Sequence, residues 1–264
     1  MMKSLIAVLL IAFPVVTRAH DFWIEPSTFH PQGGSTVAIG LRVGQQYVGD
    51  PVPRKPASQL VRFEAHHAAG VVPVVGRDLM NPAGLVAVPS EGSMLVAYHS
   101  RPAYVELPED KLRQYLSEEG EERIHEVRAR SPYAGKPWRE MYSRCAKSLL
   151  SAGRSSAAVF NKRLGLPLEL IPEKDPYALA AGSTLPVRLL QRGKPLAGAL
   201  IVAIPKADPT HPVSARSDRN GLVRLTLPSS GPWLIKAVHI DPAPAGAPVQ
   251  WESVWASLTF DLPR

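Results

Sequence analysis

The chain is poor in the residues that staple, span or coat. It has one cysteine, Cys145, among 264 residues. An exported protein with a single cysteine closes no internal disulfide, so burial must supply its stability. Aromatic residues make up 7% and charged residues 20%. No basic run is interleaved with aromatics, which argues against a nucleic-acid surface. The acids and bases alternate, as in EDKLRQYLSEEGEER, and read as a solvated face with a mild attraction to anionic lipid or cell wall. The net charge is +7, and removing Lys3 and Arg18 leaves +5. No stretch after the first twenty residues is long and apolar enough to span a bilayer, which takes roughly 20 residues.

The beginning, MMKSLIAVLLIAFPVVTRAH, has the three parts of an export signal. Lys3 supplies the positive region and Leu5 to Val16 the short apolar run. Thr17-Arg18-Ala19 places small residues where signal peptidase reads them. The expectation is cleavage after Ala19, a periplasmic mature chain starting at His20, and no membrane span. No cysteine sits at the expected cleavage point, which argues against a lipoprotein anchor.

Proline is abundant, with 27 residues spread along the chain, and favours strands joined by loops. In TVAIGLRVG, Val37, Ile39, Leu41 and Val43 alternate with small or polar residues. In QLVRFEAHH, Val61, Phe63 and Ala65 share a face that His67 continues, and SMLVAYHS is an apolar run reaching His99. The middle of the chain changes period. LPEDKLRQYLSEEG predicts a helix after Pro108, with acids in its first turn, Leu112, Tyr115 and Leu116 on one side and Gly120 as the stop. In KPWREMYSRCAKSLLSAG, Trp138, Met141, Tyr142, Cys145 and Leu149 fall three and four apart and predict a second helix. Cys145 lies on that apolar stripe and reads as core, not as a nucleophile. From Leu168 strands return: STLPVRLLQRGKPLAGALIVAIP reads as two strands around a Gly-Lys-Pro turn, and SARSDRNGLVRLTLP as a hairpin turning at Asp218-Arg219-Asn220-Gly221.

The predicted fold is all-β, mainly antiparallel, with two β-sandwich-like domains and a helical insertion between them. The divisions are 1–19 signal, 20–107 N-terminal β-domain, 108–165 helical insertion and 166–264 C-terminal sandwich.

Several motifs in order carry a resemblance: HDFWIEP after Ala19, LPEDKLRQYLSEEG, REMYSRCAKSLL, GLPLELIPEKDPYAL, LPVRLLQRGKPLAGALIV and WESVWASLTF. The chain resembles the DUF4198 family, grouped with NikM-like periplasmic proteins of nickel and cobalt uptake. PLAGALIVAI, the DRNG turn and PWLIKAV also resemble transthyretin-like or Cna-B-like modules. The resemblance implies a divalent transition ion, Ni²⁺, Co²⁺ or Cu²⁺, bound at an N-terminal histidine, with a membrane metal transporter component as partner.

The residues allow that chemistry. A mature chain starting at His20 carries an α-amine and an imidazole Nδ1 that close one chelate ring on a metal. The amine, with an ordinary pKa of about 7.7–8.0, must lose its proton first, so affinity should rise with pH. Two nitrogens do not complete a site. His67, His99, His239 and Glu252 are the candidate further ligands. His239 continues the Trp233-Ile235-Ala237 face, and Glu252 is in register with Val254, Ala256 and Leu258. Asp21 and Glu25 are acids near the terminus, and Phe22 and Trp23 are expected to anchor the first strand.

Three functions compete: a periplasmic metal-binding protein, an interaction or cell-envelope binding module without metal, and a copper-dependent oxidative enzyme. Catalysis ranks last. HEVRA at His125 has half of a metalloprotease motif and no second histidine, and there is no Gly-x-Ser-x-Gly or phosphate loop.

Overall fold

The computed structural model describes residues 20–153 and 157–264. The expected signal, 1–19, lies outside the described residues. Along the chain run β1 (Asp21–Pro26), β2 (Thr36–Gln45), β3 (Val48–Val52), β4 (Leu60–His67), β5 (Gly70–Pro73), β6 (Gly84–Ala87), β7 (Gly92–Ser100), β8 (Ala103–Leu107), α1 (Glu109–Glu118), α2 (Arg123–Ala129), β9 (Trp138–Ala152) and α3 (Ala157–Phe160). Then follow β10 (Leu168–Pro172), β11 (Thr184–Gln191), β12 (Lys194–Pro195), β13 (Leu200–Pro205), β14 (Val213–Arg216), β15 (Leu222–Thr226), β16 (Gly231–Pro242) and β17 (Trp251–Leu262). The protein is mostly strand, as its alternating patterns predict.

A nine-stranded sheet forms the spine, in the order β14-β13-β16-β17-β9-β7-β4-β5, with β8 also on β9. Its pairings are antiparallel except β17 with β9, which run parallel. Side chains alternate across it and so serve two cores. On the front face, Leu95, Leu149, Ile201, Trp233, Ile235, Leu258 and Phe260 pack against the sheet of β10, β11, β12 and β15. On the back face, Met94, Val96, Tyr98, Ala146 and Leu150 pack against the sheet of β1, β2, β3 and β6. Further along the back face, α1 and α2 cover Val238, Ile240, Trp251 and Trp255 with Leu112, Tyr115, Leu116 and Ile124.

Two local expectations are overturned. The second predicted helix is the strand β9. It is central in the spine and covered on both sides, and a strand of that kind is apolar on both faces and loses the period of two. The side chains at Met141 and Tyr142 are only half-buried while Glu140, Lys147 and Ser148 are buried, so polarity along β9 does not mark which side faces out. The Asp218–Gly221 turn does form: Asp218 accepts from the amides of Asn220 at 2.8 Å and Leu222 at 3.0 Å, and Gly221 takes φ +70°. The flanking strands are not a hairpin, because β14 pairs β13 in the spine while β15 pairs β11 in the front sheet. The turn is a corner between sheets.

α1 lies where predicted, with Leu112, Tyr115 and Leu116 buried. Gly120 at φ +69° follows its end, and a Cβ there would meet Leu200 at 2.4 Å. Cys145 is buried and free, and burial pushes its thiol up to about 12, which keeps it inert at neutral pH.

Candidate binding site at the head of the first strand

β1 is six residues long and covered on both sides. Phe22 and Ile24 enter the core between the first sheet and the spine. Trp23 points the other way, against Tyr47 edge to face at 5.4 Å and beside Ile204 and Leu234. Gly49 makes room for that indole, since a Cβ there would lie 2.7 Å from it. Asp21 to Pro26 pair with Gly44 to Ile39 of β2. Phe22 and Trp23 therefore anchor the strand as expected. His20, one residue ahead of the ladder, is half-buried and engaged with its surroundings.

Asp21 leads into a buried charge cluster. Lys236 Nζ, from the back face of β16, donates to Asp21 Oδ1 at 2.6 Å and to both Glu119 oxygens at 3.1 Å. The three side chains are only 14%, 6% and 4% exposed for Lys236, Asp21 and Glu119. One ammonium thus faces two carboxylates. Burial raises the Glu119 carboxyl, Lys236 opposes this and Asp21 adds to it, leaving Glu119 at about 7. Glu119 also caps the C-terminal end of α1, where a helix disfavours negative charge. Burial lowers Lys236, but the two carboxylates outweigh it and hold the amine above its ordinary range.

The other expected ligands each have their own surroundings in the spine sheet. His67 ends β4, and its Nδ1 accepts from the Ala69 amide at 3.3 Å. His99 lies on the front face of β7 opposite Cys145, held below its ordinary pKa by burial and then by Arg62. His239 is gripped at both ring nitrogens, by Glu121 Oε1 at 3.1 Å and Asp241 Oδ1 at 3.2 Å. Glu121 is itself committed to the Ile240 amide and to Arg123. Glu252 pairs with Asp241, diagonal to His239 on the same face. His99 and Glu252 line one surface cavity, but the register separates their Cα atoms by two strands and four residues, about 16 Å at ordinary strand spacings. Among the described residues, no three His, Cys, Asp or Glu side chains are grouped to hold a metal. The sheet register places His67, His99, His239 and Glu252 on four different strands of the spine.

Sequence reasoning missed Glu119, Glu121 and Glu140. The first two sit in SEEGEE, which reads as solvated charge, yet the turn at Gly120 aims both inward. Glu140 is buried under the helices and accepts from Trp138 Nε1 at 2.6 Å, from Tyr115 at 3.2 and 3.3 Å, and from the Ser253 hydroxyl. Burial raises its carboxyl, opposed only by these neutral donors. Tyr115 stacks on Trp255 and Trp138 on Trp251 around it, so Glu140 organises an aromatic layer.

A family model described as a domain of unknown function, DUF4198, matches residues 17–241. No curated protein matches the chain in sequence. Among solved structures, the D0-D1 domain of Intimin is 12% identical, covering 91% of this chain and 97% of its own, with a TM-score of 0.22. Likeness at that level carries no argument about fold or function.

Proposed function

The chain belongs to the DUF4198 family, and from that premise and the anchoring of β1 we propose a periplasmic, non-enzymatic protein that carries Ni²⁺, Co²⁺ or Cu²⁺ as cargo on His20. The observation that supports this most is the position of His20. The next four side chains, Asp21 to Ile24, are buried, so a mature chain cut after Ala19 holds its α-amine and imidazole together at one place on a rigid sheet. Such a chelate supplies two nitrogens. The remaining metal positions would be filled by water, by further protein groups or by an acceptor such as a membrane transporter. NikM-like behaviour of this kind is the finer reading of the family. The C-terminal half, two sheets joined at the Asp218–Gly221 corner, is read as a transthyretin-like or Cna-B-like module.

Native mass spectrometry of secreted material tests the proposal. The expected species begins at His20 and takes up one equivalent of Ni²⁺, Co²⁺ or Cu²⁺, more tightly at pH 8.5 than at pH 6.5, because the α-amine must deprotonate. A version keeping one Met before His20 should lose that binding. Trimmed protein that stays empty with all three ions would sink the idea.

A second reading, an envelope interaction module without metal, is favoured by the dispersal of His67, His99, His239 and Glu252. Under it, His20→Ala leaves every binding phenotype intact.

A further inference from the structure

A cavity of about 470 Å³ opens between the first sheet and the back face of the spine, within the size range of small-molecule sites. Its walls include Phe22, Tyr98 and Tyr142, and its charged lining is Lys55, Arg101 and Arg144. Among the described residues, no acid lines it.

Arg144 stands on β9 at the inner end. Its guanidinium carbon lies 5.0 Å from the Phe22 ring and 5.3 Å from the Tyr142 ring. The side chain as a whole is half-buried, but Nη1 has no access to solvent and no hydrogen-bond partner among the described residues. A buried cation ordinarily has a carboxylate, because leaving it unpaired is costly. Tyr142 hydrogen-bonds the guanidinium as a neutral partner, and Asp21, the acid that acts on it, already takes Lys236 at 2.6 Å. Two ring faces compensate only part of a guanidinium charge. Lys55 and Arg101 are exposed and add like charge at the opening. Tyr98 supplies no anion: burial raises its phenol to about 12, so it stays neutral. Three cations with no acid make a focused positive field over an aromatic floor.

We propose that this cavity binds an organic carboxylate with a flat, apolar body, its charge set against Arg144 and drawn in by Lys55 and Arg101. The flat body fits between aromatic side chains, and the carboxylate supplies the counter-charge that the lining lacks. The proposal does not depend on a metal at His20.

The test uses the metal-free mature protein and isothermal titration with 2-naphthoate, its neutral isostere 2-naphthamide, and inorganic phosphate. Naphthoate should bind at least about tenfold more tightly than the amide, as for loss of a charge-assisted hydrogen bond. Phosphate should neither bind comparably nor displace naphthoate. The exposed pair Lys55→Ala/Arg101→Ala, which leaves the core untouched, should weaken naphthoate roughly three- to tenfold and leave the amide unchanged. Arg144→Gln should weaken naphthoate further if it folds, and the exposed pair decides the matter if it does not. Equal binding of acid and amide, phosphate binding as tightly as naphthoate, no binding at all, or indifference to the Lys55/Arg101 pair would each overturn the proposal.

Discussion

Two lysines are buried in the same sheet and point to opposite faces, and their surroundings differ in one respect that decides their roles. Lys147, on the front face of β9, meets Glu169 at 3.1 Å with both side chains at most 2% exposed. Glu169 also accepts from the amides of Leu164, Gly165 and Leu166. That carboxylate is saturated, and one charge answers one charge. Lys236, on the back face of β16, answers two carboxylates, Asp21 and Glu119. The front site is a closed clamp that ties the segment before β10 to the spine. The back site carries a surplus negative charge whose proton affinity lies near neutrality, and it adjoins the strand that holds His20. Two buried lysines thus produce a framework at one site and a titrating node at the other.

The largest effect should come from opening the clamp. Glu169→Ala strands Lys147 and frees three amide donors, at a cost of about 3–5 kcal/mol in urea unfolding. Lys147→Met keeps volume and leaves Glu169 its backbone donors, so it should cost clearly less. Equal losses from the two variants would mean that the ion pair, not the backbone anchoring, holds the segment, and the contrast between the faces would weaken.

Local spacing revealed one helix and most strands, because α1 and strands such as β2 each bury one side. Leu112, Tyr115 and Leu116 report a helix stripe, and Val37, Ile39 and Leu41 report a half-covered strand. β9 was illegible as a strand because it serves two cores, with Leu149 in the front one and Leu150 in the back one. The candidate site was less legible still. Lys236 finds Glu119 across 117 positions and Asp21 across 215, and no periodicity records such partners. His239 lies beside Val254, but a shared face does not fix the stagger along it. Nothing in the local sequence marks Arg144, and only the assembled cavity shows that no acid lines the space around it among the described residues.

The next effect is smaller and runs with pH. Glu119 sits at about 7 when folded against an ordinary 4.5, so the folded protein holds the extra proton in that window. Its contribution is therefore greatest below about pH 4.5 and is lost as pH rises through about 7, by on the order of 3 kcal/mol. Glu140, also raised by burial, acts in the same sense. His66 and His99, both lowered by burial, act in the opposite sense as pH falls below their ordinary range. The Glu119 share is thus the difference between wild type and Glu119→Gln in Tm from pH 4.5 to 8. The variant should gain on wild type as pH rises. A constant difference would remove the titrating node. The same scan on Lys147→Met should show no such divergence across the neutral range, which is what separates the two lysine sites.

The smallest effect isolates the second carboxylate. Asp21 is one cause of the raised Glu119 carboxyl, after burial and against the pull of Lys236. Asp21→Asn keeps the shape, and the hydrogen bond to Lys236 survives through the amide oxygen. The ammonium then belongs to Glu119 alone, as Lys147 belongs to Glu169. Glu119 should therefore release its proton at lower pH, with a stability change on the order of 1 kcal/mol, about the worth of one pKa unit or less. The carboxyl carbon of Glu119, followed by NMR through a titration, reports this directly. A midpoint that stays put would show that burial at the end of α1, not the neighbouring acid, keeps the proton on. A midpoint that falls makes the back site resemble the front one through the removal of a single charge.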